Sequence, residues 1–180
     1  MKLTTDRRRG RKSRKESKHK APAISGTAAI CEREEFVYFL CCQSFLSLWS
    51  YANPQGKDGN ELCDVLVVCE PDIIIFSVKE VAVSEAGDVA FDQQKEWTLR
   101  AVERSVNQIC SADRWIKSAT HVIRKDGTCG LPLPEPGVQR IHRVVVAFGG
   151  DAKAWEFYGD FGKGFMHVVD ERSLRDLEVW

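Results

Sequence analysis

Hydrophobic and polar positions divide the chain into stretches of different periodicity. Residues 1–26 are polar and rich in Lys, Arg, Ser and Pro, with no apolar spacing, and cannot bury enough surface to order themselves. From Ala28 to Trp49, good helix formers run without Pro or Gly behind a potential cap at Thr27, which predicts a helix of about six turns. Tyr51 to Asn60 is crowded with turn residues and reads as a loop. In Glu61–Glu80, two β-branched apolar runs flank Glu70-Pro71-Asp72, the pattern of a hairpin. Both runs are apolar at nearly every position, so both faces are covered and the hairpin lies centrally in a sheet.

Residues 81–91 suggest a third strand at the edge. Asp92 to Ser118 reads as a helix, with Trp97, Ala101, Val102, Ser105, Ile109, Ala112 and Ile116 tracing one face. Residues 125–140 form a Gly- and Pro-rich loop. His142–Ala147 and Phe165–Val169 are further strands, and a last helix starts near Asp170 and stops at Trp180. A chain that ends as a helix begins is expected to be truncated there. The order predicts an α/β fold, a mixed central β-sheet flanked by helices, over residues 27–180 behind a basic arm of residues 1–26.

Composition changes this picture in three ways. A chain of 180 residues and 20.3 kDa supports one core without staples. The 26 basic and 26 acidic side chains balance, but residues 1–20 hold ten Lys/Arg against Asp6 and Glu16. The arm is therefore +8 and the rest −8, which excludes a broad cationic groove and leaves nucleic-acid affinity to the arm or a local patch. A solubilising tail is the competing reading of the arm. The seven cysteines are odd in number and lack a C-x-x-C, as expected of reduced thiols in a cytoplasmic protein. The apolar run Phe36–Tyr51 is too short and too interrupted by Gln43, Ser44, Ser47 and Ser50 to span a membrane.

Chemistry enters with two charges inside the hairpin, Asp64 and Lys79, because an unpaired buried ion costs several kcal/mol. A two-residue turn at Glu70-Pro71 sets Asp64 opposite Ser77; a turn at Pro71-Asp72 sets it opposite Lys79. Either register puts Asp64, Ser77 and Lys79 on one face. A carboxylate and an ammonium at a sheet's end suit phosphodiester hydrolysis, the carboxylate holding a divalent metal and the lysine countering charge on phosphorus. A structural ion pair, with Lys79 reaching to water, is the alternative.

A helix with an acidic residue, an Asp at the start of a hairpin, a triplet ending in Lys79 and a following helix together resemble the PD-(D/E)XK nuclease superfamily. Over a longer span, Ser44–Tyr51, Glu61-Leu-Cys-Asp64, Ile73–Lys79, Ala112-Asp-Arg-Trp-Ile116 and His167-Val-Val-Asp170 are similar to a group of uncharacterised bacterial proteins. The resemblance implies a restriction-endonuclease-like core and metal-dependent cleavage of DNA with Mg²⁺ or Mn²⁺. It implies Asp64 as the central metal ligand, Lys79 as the catalytic lysine and the Val78 carbonyl as a main-chain ligand. The first helix then supplies Glu34 or Glu35; Glu34 is preferred because Val37, Cys41 and Ser44 continue its stripe. Gln108 falls where such nucleases keep a polar residue facing the site.

One departure is plain. The triplet's acidic position holds Ser77, which lacks the charge that binds Mg²⁺. By strand alternation Glu61 points away from Asp64, and Glu80 away from Lys79. Either the helix glutamate compensates, or the domain is impaired and binds nucleic acid or protein without cutting. Arg100 and Arg104 share a helix face with Gln108 and suit phosphate contacts or simple solvation. His121, His142 and His167 lack ligand spacing and read as structural. Walker, dinucleotide, nucleophile-elbow and kinase signatures are absent from the sequence.

Overall fold

The apolar runs on either side of Glu70-Pro71 form the hairpin at the middle of a six-stranded sheet, β2 (Val65–Cys69) and β3 (Asp72–Glu80). This computed structural model describes residues 32–80, 89–148, 158–160 and 162–176, with backbone alone for 89–101, 158 and 175–176. The arm of residues 1–26 lies outside the described residues. Val65 pairs with Phe76 and Cys69 with Asp72, so the turn is the two-residue loop Glu70-Pro71. Of the two registers open in the sequence, this one places Asp64 across from Ser77.

Beyond the hairpin the sheet runs in the order β1 (Ser50–Ala52), β2, β3, β6 (Arg140–Phe148), β8 (Phe165–Asp170) and β7 (Tyr158–Asp160). β3, β6 and β8 are parallel; β1, β2 and β3, like β7 and β8, pair antiparallel. The fold is α/β with a mixed sheet. Helix α2 (Val89–Ile116) crosses from β3 to β6, the long connection that a parallel pair requires.

Period-two alternation sends the two halves of the hairpin's apolar set to opposite helices. Leu66, Val68, Ile73 and Ile75 pack with Val102, Val106, Ile109, Ala112 and Ile116 of α2. Val65, Val67, Phe76 and Val78 pack with Val37, Leu40 and Cys41 of α1 (Glu32–Phe45). Asp64, Ser77 and Lys79 share the parity of Leu66 and Ile75, and therefore the α2 face.

Several elements differ from expectation. Helix α1 stops at Phe45 rather than near Trp49, because Leu46 takes a left-handed φ of 72° and turns the chain into β1. The Leu46 carbonyl accepts bonds from Trp49 N–H (3.2 Å) and Ser50 Oγ (3.1 Å). A small second sheet, β4 (His121–Ile123) with β5 (Cys129–Pro132), lies partly inside the expected 125–140 loop. The edge strand expected over 81–91 falls mostly outside the described residues, and from Val89 onward the chain is already α2. The last helix, α3 (Glu171–Asp176), is capped by Asp170, whose Oδ1 accepts from Ser173 N–H at 2.7 Å. Among the described residues the six cysteines are free thiols, and burial pushes Cys41 up to about 12. No helix among the described residues is long and apolar enough to cross a membrane.

Ile75 is fully buried at the centre of the α2-facing core. Ile75→Ala is expected to cost about 2–5 kcal/mol, read as a lower urea midpoint at unchanged slope. A loss under about 0.5 kcal/mol, the range of surface substitutions, would contradict this placement.

Candidate active site

Asp64 sits one residue before β2, with its backbone N–H donating to the Phe76 carbonyl at 3.2 Å. Its side chain is 2% exposed, so a carboxylate there must be satisfied by the protein. Oδ2 accepts from Val78 N–H and from Lys79 Nζ at 3.3 Å. Oδ1 accepts from Gln108 Nε2 at 3.1 Å. Gln108 Oε1 in turn accepts from Ser77 Oγ at 2.7 Å and from Lys79 Nζ at 3.4 Å. Asp64, Lys79 and Gln108 close a ring in which each acceptor faces a donor, and Ser77 donates into it at Gln108. Lys79 keeps 32% of its side chain exposed, so the ring reaches solvent along this lysine.

The serine at the triplet's acidic position therefore has a definite task. It is fully buried and orients the Gln108 amide, which then presents its NH₂ group to Asp64 and its oxygen to Lys79. Val78 contributes its N–H; because N–H and C=O of one strand residue point to the same side, its carbonyl is also turned toward the open end of β2.

A second group of polar side chains adjoins this ring. The Asn53 N–H donates to the Asp64 carbonyl at 2.9 Å, which fixes the β1–β2 connection against the site. Its Nδ2 donates to Glu61 Oε2 at 3.1 Å and to Glu34 Oε2 at 3.4 Å. Asn53 holds a left-handed φ of 44°, a conformation asparagine tolerates better than other side-chain-bearing residues. Partial desolvation first, then the neighbouring Asp64 carboxyl and the charge of Glu34, raise the Glu61 carboxyl above its ordinary range, against a lowering by the Asn53 hydrogen bond.

Three of the residues singled out in the sequence, Asp64, Lys79 and Gln108, thus meet directly. Glu34 stands apart from them: α1 packs on the opposite sheet face, and Glu34 joins the site around the sheet end through the Asn53 amide. Glu35 is exposed. The expectation for Glu61 is corrected. Strand alternation does not reach it, because β2 begins at Val65 and Glu61 belongs to an isolated bridge with Gln55. Neither Glu61 nor Asn53 carried a signal in the sequence beyond nearness to Asp64. His142 is bonded to Asp72 (2.8 Å) far down β3, His121 to Thr120, and Arg104 is exposed.

Among the described residues no three His, Cys, Asp or Glu side chains form a metal-holding group. The oxygens present nonetheless suit a hard cation: two adjoining carboxyls, Asp64 and Glu61, and the Asn53 Oδ1, which is buried without a hydrogen-bond partner. Comparison with protein-family models, curated proteins and solved structures finds no match for this chain.

Two outcomes follow from this geometry. Asn53→Gly keeps the left-handed backbone and removes the amide, whereas Asn53→Ala removes both, so Ala is expected to be less stable than Gly by about 1 kcal/mol in urea unfolding. The raised Glu61 carboxyl means that the folded state holds a proton the unfolded state releases. Its contribution is present below the ordinary carboxylate range and is lost as pH rises through the raised value. Glu61→Gln is therefore expected to raise the urea midpoint at pH 7 and leave it near wild type at pH 4; the opposite ordering would show that Glu61 is not crowded by Asp64.

Proposed function

We propose that this chain is a metal-dependent nuclease with a restriction-endonuclease-like core that hydrolyses phosphodiester bonds in DNA. The observation that carries the reading is the buried Asp64 carboxylate 3.3 Å from the ammonium of the partly exposed Lys79, both held by Gln108 at the end of a central hairpin. Asp64 and Glu61, with the Val78 carbonyl, would hold Mg²⁺ or Mn²⁺. When bound, the cation supplies Lewis acidity at the phosphate and a water more easily deprotonated. Lys79 places its positive charge where the pentavalent phosphorus gathers negative charge, and orients the attacking water. Gln108 positions Asp64 and Lys79 relative to each other. Glu34 acts from the outer side, holding Asn53, rather than from the first rank that the resemblance implies.

The basic arm adds affinity for DNA phosphates without sequence preference, with a salt slope of about −0.9 per phosphate neutralised. A cytoplasmic location belongs to the same reading. A second reading is favoured by one observation: the Ser77 hydroxyl is spent on Gln108, leaving one carboxylate fewer than the superfamily pattern. Under it the domain binds nucleic acid or protein partners without cutting.

Supercoiled plasmid incubated with Mg²⁺ or Mn²⁺ separates the two. Cleavage is expected, and Asp64→Ala and Lys79→Ala are each expected to slow it by about 10²–10³-fold, the loss typical of one preorganised electrostatic group. Cleavage unchanged in both variants would overturn the assignment of this site. Salt-sensitive DNA retention with no cleavage at any metal would establish the second reading.

A further inference from the structure

A cavity of about 530 Å³ opens between α1, the start of β1 and the β4–β5 hairpin, within the size range of small-ligand sites. Its wall is built from three elements. Tyr38 comes from α1, Leu48 and Tyr51 from the turn into β1, and Arg124, Lys125 and Asp126 from the tip of the β4–β5 hairpin. Tyr51 is locked in place: its hydroxyl accepts from Leu131 N–H at 2.9 Å. Gly130 sits so close that an added Cβ would lie 2.8 Å from the ring. Arg124 lies 5.9 Å from the centre of that ring and braces the hairpin through the Cys129 carbonyl. Gln55 ties the same hairpin to the β1–β2 connection, its Nε2 donating to the Lys125 carbonyl at 2.9 Å and its N–H to Ile123 at 2.8 Å.

The cavity and the acidic group are consecutive along two elements. Tyr38 follows Glu34 by one helical turn and lies on the same face of α1. Tyr51 and Ala52 immediately precede Asn53. The chain outside the arm carries −8, so a place where two cations adjoin two aromatic rings is the local patch that nucleic acid requires there. Among the described residues that line the cavity Asp126 is the one acid, and its Oδ1 accepts from Thr128 N–H (2.9 Å) and Thr128 Oγ1 (2.7 Å).

We propose that this cavity is a nucleotide subsite, taking one unstacked nucleotide of a DNA strand beside the acidic group. The base lies against Tyr38 and Leu48, with the largely buried Tyr51 as the floor, and the adjoining phosphate lies against Arg124 and Lys125. The proposal rests on the nuclease reading for its substrate, but its test needs no cleavage. Aromatic rings give affinity to any base, because every base has a π face.

The full chain is titrated, in EDTA, against fluorescein-labelled single-stranded octathymidylate, with unlabelled thymidine monophosphate as competitor. Tyr38→Ala is expected to weaken octamer binding about tenfold and Tyr38→Phe to restore it. Leu48, 62% exposed, is a second and structurally tolerant position. Leu48→Glu is expected to weaken binding and Leu48→Lys to strengthen it. Wild-type affinity in both Tyr38→Ala and Leu48→Glu would overturn the subsite, as would monophosphate competing as well as the octamer, which would mark a free-nucleotide site. If these variants behave as expected while plasmid stays uncut with metal, the subsite stands and hydrolysis falls. If plasmid is cut and the variants bind normally, the subsite alone falls.

Discussion

A carboxylate that is almost wholly buried at the end of a central strand sets the terms for everything around it. Asp64 cannot be left unpaired, and the donors that satisfy it come from separate parts of the chain: the β3 backbone at Val78, the β3 side chain Lys79 and the α2 side chain Gln108. Removing one of them leaves the others organised around a charge without its full complement, a loss of several kcal/mol when the deficit is buried. The hairpin register, the angle of α2 and the β1–β2 connection are thereby tied to one atom pair. A buried charge of this kind is a poor way to gain stability when apolar residues of the same volume pack as well, which is why its presence argues for chemistry rather than for packing.

The sheet's two-sidedness explains how the polar groups are shared out. The α2 face carries Asp64, Ser77 and Lys79, and Gln108 meets them there. The α1 face carries apolar partners for Val37, Leu40 and Cys41, so Glu34 has to act around the sheet end. Asn53 joins the two sides. Its left-handed backbone lets one amide reach both Glu34 and Glu61 while its own N–H holds the Asp64 carbonyl.

The hairpin and the common face of Asp64, Ser77 and Lys79 were legible because period-two alternation holds wherever a strand is continuous, whereas the choice between a turn at Glu70-Pro71 and one at Pro71-Asp72 needed the strand pairing. The buried side of α2 was legible from Val102 to Ile116 for the equivalent helical reason. Glu61 was not, because it lies four residues before the point where β2 begins, outside the reach of the alternation rule. The strands β1, β4 and β5 span three or four residues each, too few to show a period, and they hold through distant contacts such as Tyr51 with Leu131. The end of α1 depended on a left-handed leucine, a conformation that composition does not advertise. Ser77 was legible as a departure, but its bond to Gln108 required the helix to be in place.

The account stands or falls on whether the oxygens around Asp64 take a divalent cation. Crystals soaked in Mn²⁺ and measured at a wavelength where manganese scatters anomalously answer this directly. The account predicts an anomalous peak in contact with the Asp64 and Glu61 carboxylates, with the Lys79 ammonium beside it. A map with no peak there at millimolar Mn²⁺, the Lys79 ammonium remaining on Asp64, would contradict it.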